Sequence, residues 1–308
     1  MNSTKYWIAL ERVSGVGPAH LKEIYSTISG AGISLADIFE LTEDEMKNEF
    51  KFTLKTLSSI KTAIEILPAV TEEYQKIIDA GISVTPFYSI AYPERLHNIL
   101  GNNIPPILYS YGNLKILNKK GAAVLGDSSI SSRGEFIAYM AAKELVSHGI
   151  TVISGFAKGA DITAHRSALE YGGDTIAMLP SGILKLSIPE MIKPVYDEER
   201  FLAVSSFYPE AAADKFNAFI RNRTICALSR AVLIVESPES GGIFEAAKSA
   251  HSLKVPLYTV EYSEYPESAL GNKKILAELE AFPVRGKKNA DDLTVPNMDR
   301  IIADAKFK

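Results

Sequence analysis

The clearest pattern of apolar and polar positions lies between residues 122 and 164. Apolar runs at 122–125 and 151–153 have the length of buried strands, and each stops at a turn that contains glycine. Between them, apolar residues recur at helical spacing from Ile137 to Leu145, and Gly149 follows as a helix stop. This order predicts one βαβ unit of a parallel sheet.

Strand-length apolar runs continue along the chain and alternate with helix-like segments. They lie at 82–86, 105–112, 175–179, 202–205, 231–235 and 256–259. Such alternation predicts an α/β fold with a doubly wound parallel sheet. Residues 1–67 lack an alternating strand pattern and predict a small all-helical domain that ends at Pro68. We expect the sheet domain to span 68–284, and a C-terminal tail, either a mobile arm or a terminal helix, to span 285–308.

Composition limits the chemistry that the chain can carry. With 308 residues, 46% hydrophobic residues and a net charge of −4, it is not a uniformly basic nucleic-acid coat, although a local basic patch is compatible with this balance. The single cysteine excludes an internal disulfide, and the five histidines show no metal-ligand spacing, so no metal or cofactor is expected. No signal-like segment is present, and no apolar run approaches about 18 residues. We therefore expect a cytoplasmic protein without a membrane partner.

Near the start of the chain, Gly15 and Gly17 precede a predicted helix with the spacing of a helix-hairpin-helix. The tight turn of such a motif presents backbone N–H groups to a DNA phosphate. A hairpin that serves only packing needs the same glycines, and few basic residues lie nearby. The sequence leaves both interpretations open.

Turns that contain glycine follow several predicted strands. Gly126 and Gly155 end the first two, the second turn continues with Lys158-Gly159, and later turns contain 181–182 and 240–242. Parallel strands all end at one edge of a sheet, so these turns line one crevice with backbone N–H groups that favour phosphates. Glycine also serves backbone geometry in any α/β protein. Neither G-x-G-x-x-G after the first strand of this unit nor a P-loop is present, so the turns alone do not name the ligand.

A basic segment at 214–230 is expected to lie at this crevice. It contains four basic residues against one acid, and Phe216 and Phe219 are interleaved with them. Basic residues with interleaved aromatic rings suit single-stranded nucleic acid. We expect the two phenylalanines to be core residues. We expect Arg221 and Arg223 to be functional, because cations near a helix start are opposed by the helix dipole.

Candidates for catalysis are few. Ser154, Asp161 and His165 have the residue types of a nucleophilic triad, but no G-x-S-x-G elbow is present. A packed histidine is the better interpretation of His165. Glu245 is the one carboxylate placed near the crevice for acid/base work.

Several motifs together resemble the DNA-processing protein A family, also called DprA or Smf. The most specific are Ser154-Gly155-x-Ala157-x-Gly159-x-Asp161 with Ala164-His165, and Arg221-Asn222-Arg223-x-Ile225, in this order. They are accompanied by Tyr92-Pro93-x-x-Leu96, Ser181-Gly182 and Ser240-Gly241-Gly242. The resemblance spans roughly residues 88–281.

The resemblance implies an extended Rossmann-like fold and a non-catalytic protein that binds single-stranded DNA. It further implies a homodimer that helps to load a RecA-type recombinase during natural transformation. Lys158, Arg221 and Arg223 are then expected to contact phosphates, beside the N–H groups of the glycine turns. The full set of expected DNA- or phosphate-binding residues is Gly126, Ser128, Arg133, Ser154, Gly155, Lys158, Gly159, Ser181, Gly182, Arg221, Asn222, Arg223, Ser240, Gly241 and Gly242.

The sequence departs from the family at two turns. Gly126-Asp127-Ser128 stands where the family has Gly-Ser-Arg, so a phosphate-binding arginine is missing, and Arg133 is a candidate substitute. Gly241-Gly242-Ile243-Phe244-Glu245 drifts toward the Gly-Gly-x-x-x-Glu of the related nucleotide phosphoribohydrolases. A nucleotide-binding or nucleotide-cleaving protein, with Glu245 as acid or base, is therefore the alternative. We also expect no C-terminal winged helix after Ala281.

Overall fold

The computed structural model describes residues 3–290 and 292–307 and divides into two compact units. The first unit comprises the chain up to Tyr92 together with Leu100–Leu108. The second comprises Pro93–Ile99 and the chain from Tyr109 onward. Each unit is built around its own buried apolar residues.

The first unit is mainly helical. Its elements are α1 (Thr4–Glu11), α2 (Pro18–Gly30), α3 (Leu35–Ile38), α4 (Glu43–Phe50), α5 (Leu54–Asp79) and the short strand β1 (Ser83–Pro86). The capping box of Ser34 and Asp37 starts α3, and that of Thr42 and Glu45 starts α4, so the polar side chains satisfy exposed backbone N–H groups. Between α1 and α2, Gly15 adopts a left-handed φ of +81°. The DNA contact of this turn stays a prediction.

Helix α5 continues through Pro68, the residue at which the sequence predicts that the helical domain ends. An interior proline removes one backbone hydrogen bond and costs about 3 kcal/mol. Ala63, Val70 and Ile77 are all buried at a seven-residue spacing across the proline. Burial of this apolar stripe offsets the cost and holds the helix together. The division of the chain at residues 67 and 284 stays a prediction.

The second unit is built on a mostly parallel sheet. Its strands are β2 (Ile107–Gly112), β3 (Gly121–Leu125), β4 (Thr151–Ser154), β5 (Thr175–Met178), β6 (Phe201–Ser205), β7 (Val232–Ile234), β8 (Leu257–Val260) and β9 (Phe282–Val284). Their order is β2-β6-β5-β4-β3-β7-β8-β9, and all neighbours are parallel except β2 and β6. The predicted doubly wound α/β fold is confirmed.

Helices cover both faces of this sheet. They are α6 (Glu94–Leu100), α7 (Ser132–Ser147), α8 (Ala160–Glu170), α9 (Lys215–Leu228), α10 (Gly242–Ser252), α11 (Leu270–Glu278) and α12 (Asp299–Phe307). Ala122 and Val124 of β3 share one apolar cluster with α7, α8 and α12, because alternate strand residues point to the same face. The tail thus contains a terminal helix, which follows a small antiparallel hairpin of β10 (Gly286–Lys288) and β11 (Thr294–Pro296).

The order in which the chain adds strands to the sheet reverses between β3 and β7, which are parallel neighbours. From β3 the chain continues through β4, β5 and β6 on one side, and β7, β8 and β9 lie on the other. In open α/β sheets, the crevice at the carboxyl ends of the strands beside such a switch point is the usual ligand site. The turns after β3, β4 and β7 meet at this edge.

Candidate nucleic-acid interface

The turns after β3 and β4 pack closely together. Gly126 lies against Ala160, and the N–H of Asp127 donates to the carbonyl of Glu236 over 2.9 Å. Gly159 has a left-handed φ of +81° and lies against the carbonyl groups of the turn after β3. The structure therefore brings Gly126, Ser128, Gly155 and Gly159 to one edge, as the sequence predicts.

Asp127, which replaces a family serine, is engaged within its own turn. Its Oδ1 accepts a hydrogen bond from the N–H of Ser129 over 2.9 Å. The carboxylate therefore stabilises the turn locally.

Arg221 is buried rather than free to meet a phosphate in solution. Its Nη1 donates to the carbonyl of Met178 over 3.1 Å and lies 4.0 Å from Asp161 Oδ2. A Cβ on Gly155 would overlap the guanidinium, so only glycine fits there. Burial raises the pKa of Asp161 to about 6, although the charge of Arg221 opposes this shift. Arg221 thus connects the ends of β4 and β5 to α8. The predicted contact of Arg221 with a phosphate stays a prediction, and the side chain of Arg221 is buried.

Ser154 and His165 also lie in the interior. The Ser154 hydroxyl donates to the carbonyl of Val124 over 2.6 Å and is fully buried. His165 Nε2–H donates to the carbonyl of Gly155, and Nδ1 lies 2.7 Å from the Thr175 hydroxyl, which donates to the carbonyl of Val152. Burial lowers the pKa of His165 to about 4. These side chains support the crevice from below and do not form a nucleophilic triad.

The turn after β5 is held by packing. The N–H of Gly182 donates to the carbonyl of Ala211 over 2.9 Å, and a Cβ at this position would overlap the backbone of Tyr208 and Pro209. The carbonyl of Ser181 accepts from the Ser205 hydroxyl. Close backbone approach therefore explains this glycine, and its N–H is already used.

Two aromatic rings on α9 are exposed, and the expectation that they are core residues is wrong. Phe216 is 70% exposed and Phe219 is 42% exposed. The C-terminal half of α9, from Arg221 to Leu228, is almost entirely buried, whereas the first six residues are exposed or half-buried. The rings are exposed because this first half has little packing around it. Phe216, Phe219 and Arg223 share one face, since residues three and seven positions apart are neighbours on a helix.

The N-terminus of α10 adjoins α9. Asn222 Nδ2 donates to the carbonyl of Gly242 over 3.0 Å, and Ser240, Gly241 and Gly242 are all exposed. Gly241 precedes the helix with a left-handed φ of +104° and provides no side-chain cap. The first-turn N–H groups of α10 therefore point to solvent beside α9 and favour an anion. We call Phe216, Phe219, Arg223 and residues 240–242 the α9 surface.

The remaining expected cations lie apart from one another. Lys158 is exposed and lines a cavity of about 600 Å³ together with Ser128 and Gly159. The Arg133 guanidinium lies 5.5 Å from the ring of Tyr262, which follows β8. The role of Arg133 as a substitute for the arginine missing from the turn after β3 stays a prediction.

Glu236 is the important residue that sequence reasoning missed. Its fully buried carboxylate accepts hydrogen bonds from the N–H and hydroxyl of Ser131, from Tyr262 and from Ser268. Ser131 is the N-cap of α7, so this carboxylate already occupies the anion position at the start of that helix. An acidic residue directly after the apolar run of β7 was the available signal.

Glu245 lies in the first turn of α10 and is partly exposed. Its Oε1 is 2.7 Å from Lys248 Nζ on the same helix. Among residues 3–290 and 292–307, no cluster of three histidine, cysteine or acidic side chains is arranged to hold a metal ion. None of the helices in the part of the chain that the structure describes combines the length and apolar character that a bilayer span requires.

Comparison with known sequences identifies the family. The sequence model of DNA recombination-mediator protein A matches residues 83–294, which include the crevice turns, α9 and the start of α10. The chain belongs to this family. The resemblance to DprA and Smf is thereby confirmed.

Relatives of the DprA family match over different lengths. Protein Smf of Synechocystis is 27% identical over 91% of this chain and 73% of its own length. DNA processing protein DprA of Streptococcus pneumoniae is 34% identical over 57% of this chain, and the match spans 64% of that relative, slightly under two thirds. The match therefore does not cover the full length of the Streptococcus pneumoniae protein.

Solved DprA structures share the fold. The X-ray structure of DprA from Streptococcus pneumoniae has a TM-score of 0.65 at 23% identity and covers 87% of this chain and 95% of its own. DprA from Helicobacter pylori, solved to describe its single-stranded DNA binding mode, has a TM-score of 0.56 at 24% identity. This match covers 65% of this chain and 90% of the Helicobacter chain.

Proposed function

We propose that the chain binds single-stranded DNA without sequence preference, and that the strand lies along the α9 surface. The observation that carries this proposal is the exposure of Phe216 and Phe219 beside Arg223 and the uncapped start of α10. Exposed rings next to cations and backbone N–H groups suit stacked bases and phosphates together. Family membership supports the proposal, since the Helicobacter relative binds single-stranded DNA.

We infer a modest electrostatic contribution to binding. Three cations lie on the turn after β4 or on α9 and are exposed or half-buried: Lys158, Lys215 and Arg223. Two or three phosphate contacts give a log–log salt slope of roughly −1.4 to −2.1, at about −0.7 per contact. Base stacking then supplies much of the affinity, so binding should tolerate moderate salt.

Phe216→Ala and Phe219→Ala are each expected to weaken binding to oligo-dT by about tenfold. Each variant removes one stacking ring, and stacking contributes about 1–3 kcal/mol per base. Because both rings are exposed, neither variant should change stability by more than about 0.5 kcal/mol. Fluorescence anisotropy with labelled oligo-dT measures the affinity across a salt series.

Phe136→Ala is the matched control, because Phe136 is 41% exposed but lies on α7. Its affinity should equal that of the wild type, and Arg223→Gln should make the salt slope shallower by about 0.7. Equal losses in the Phe136 and Phe216 variants would contradict the placement of the strand. Undetectable binding by the wild type would contradict the function itself.

We propose that the crevice has no catalytic role. Asp161 and His165 are buried, and the Glu245 carboxylate is paired with Lys248, so none of these three acid/base candidates from the sequence is free beside the crevice. Release of free base from a panel of nucleotides, lost in Glu245→Gln, would support the nucleotide-cleaving alternative instead.

We further propose, on family membership, that the protein acts in the cytoplasm as a homodimer and helps to load a RecA-type recombinase. A dimer increases the effective concentration of a second strand-binding surface. Light scattering at micromolar concentration is expected to give the mass of a dimer, and RecA is expected to co-elute with the protein on oligo-dT. A monomer that binds DNA at full affinity and retains no RecA would contradict both proposals.

A further inference from the structure

A second cavity lies at the opposite edge of the sheet, where β3 and β7 begin. It has a volume of about 460 Å³, and its polar and charged lining residues are Glu94, Arg95, Asn98, Asn118, Lys119 and Arg230. Lys119 lies just before β3 and Arg230 just before β7. The whole lining belongs to the second unit.

Two arginines give this cavity an excess of positive charge. Arg95 donates from Nε and Nη2 to the carbonyl of Ser229, over 3.1 Å and 2.7 Å, so its guanidinium is fixed at the end of α9. Within residues 3–290 and 292–307, neither Arg95 nor Arg230 forms an ion pair with a carboxylate. Lys119, by contrast, is paired with Asp174 at 2.5 Å.

The positions of the two arginines are electrostatically unfavourable without an anion. Burial lowers the pKa of Arg95, and the positive charge of Arg230 lowers it further. The Ser229 hydroxyl is also buried and lacks a hydrogen-bond partner. An anion in the cavity would relieve the repulsion between the guanidinium groups.

We propose that this cavity binds a phosphate group, held by Arg230 and Arg95. Planar guanidinium groups match phosphate oxygens in two-point hydrogen bonds, and the asparagine amides beside them suit the polar remainder of a ligand. The volume exceeds that of a bare phosphate and lies within the range of small-molecule sites. The chemistry fits a nucleotide, inorganic phosphate or the backbone of a nucleic acid.

The site is separate from the α9 surface. Helix α9 has 14 residues and connects the two edges of the sheet, which places its ends roughly 20 Å apart at about 1.5 Å per residue. Phe216 lies at the start of α9 and Arg230 follows its end, so a failure of strand binding at Phe216 and Phe219 would leave phosphate binding at Arg230 unaffected.

Arg230→Gln is expected to weaken phosphate binding by about tenfold, because it removes one charge-assisted hydrogen-bonding group. Arg95→Gln is a poorer test, since it also removes the contacts to Ser229. Inorganic phosphate, deoxyadenosine monophosphate and oligo-dT are titrated separately by calorimetry into the full chain. Arg166→Gln is the matched control, because Arg166 is a partly exposed arginine on α8 that does not line the cavity, and circular dichroism confirms that each variant is folded.

The three probes distinguish the source of the phosphate. A tenfold loss for inorganic phosphate or the mononucleotide in Arg230→Gln, but not in Arg166→Gln, supports a small-molecule site. A loss confined to oligo-dT in Arg230→Gln supports a contact to a nucleic-acid backbone. Unchanged affinity for all three probes in Arg230→Gln, or equal losses in Arg230→Gln and Arg166→Gln, would overturn the proposal.

Discussion

Glu236→Ala is expected to lower the free energy of unfolding of the second unit by about 3–5 kcal/mol. The carboxylate is fully buried and accepts four hydrogen bonds, two of them from Ser131 at the N-cap of α7. Removing it leaves these donors without a partner in the interior, and it also removes the negative charge at the start of the helix. The change should therefore loosen α7 and the ends of β3 and β7 together.

Glu236→Gln is the control, with an expected loss of only about 1–2 kcal/mol. The glutamine oxygen can still accept from the Ser131 N–H, and its amide can donate to hydroxyl groups that rotate to accept. The single tryptophan, Trp7, lies in the first unit, so its fluorescence is a poor reporter. Hydrogen exchange of peptides from β3, β7 and α7 measures the change. Equal losses in the alanine and glutamine variants would show that the hydrogen-bond network is not the cause.

The strands of the second unit were predictable because burial on both faces leaves a continuous apolar run. The predicted runs at 122–125 and 151–153 match β3 and β4 to within one residue. The antiparallel pairing of β2 with β6 was not predicted, since an apolar run contains no information on its neighbour's direction. The helix through Pro68 was missed for a similar reason. Local propensity favours a stop there, and only the packing of Ala63, Val70 and Ile77 overrides it.

The turns of the candidate site were easier to predict than the orientation of its side chains. Parallel topology alone brings Gly126, Gly155 and Gly241 to one edge. The sequence of α9 does not show which half of the helix has packing partners. As a result, Arg221 was expected to contact a phosphate and is buried, and Phe216 was expected to be buried and is exposed.

The altered turn after β3 has a consistent physical explanation. Asp127 stabilises its own turn through Ser129, and Glu236 occupies the anion position at the start of α7. A phosphate is therefore disfavoured at α7, whereas the start of α10 has no side-chain cap. The departure from the family pattern at Asp127 is thus compatible with strand binding on the α9 surface.

Asp161 and His165 are expected to give opposite pH dependences that nearly cancel in the wild type. The pKa of Asp161 is raised to about 6 in the folded state, so its contribution to stability is present below about pH 4 and is lost as the pH rises through 6. The pKa of His165 is lowered to about 4, so its contribution is present above about pH 6.5 and is lost as the pH falls through 4. Each shift of two units or slightly more corresponds to about 3 kcal/mol.

Single substitutions should separate the two effects. In His165→Gln only Asp161 titrates, and the free energy of unfolding should fall by about 3 kcal/mol more than in the wild type between pH 4 and 6.5. In Asp161→Asn only His165 titrates, and the free energy should rise by a similar amount over the same interval. Urea unfolding followed by circular dichroism at several pH values measures both slopes, and subtraction of the wild-type slope removes the titration of surface groups. Variant slopes that both match the wild type would show that neither residue titrates in this interval. This result would contradict the raised pKa of Asp161 and the lowered pKa of His165.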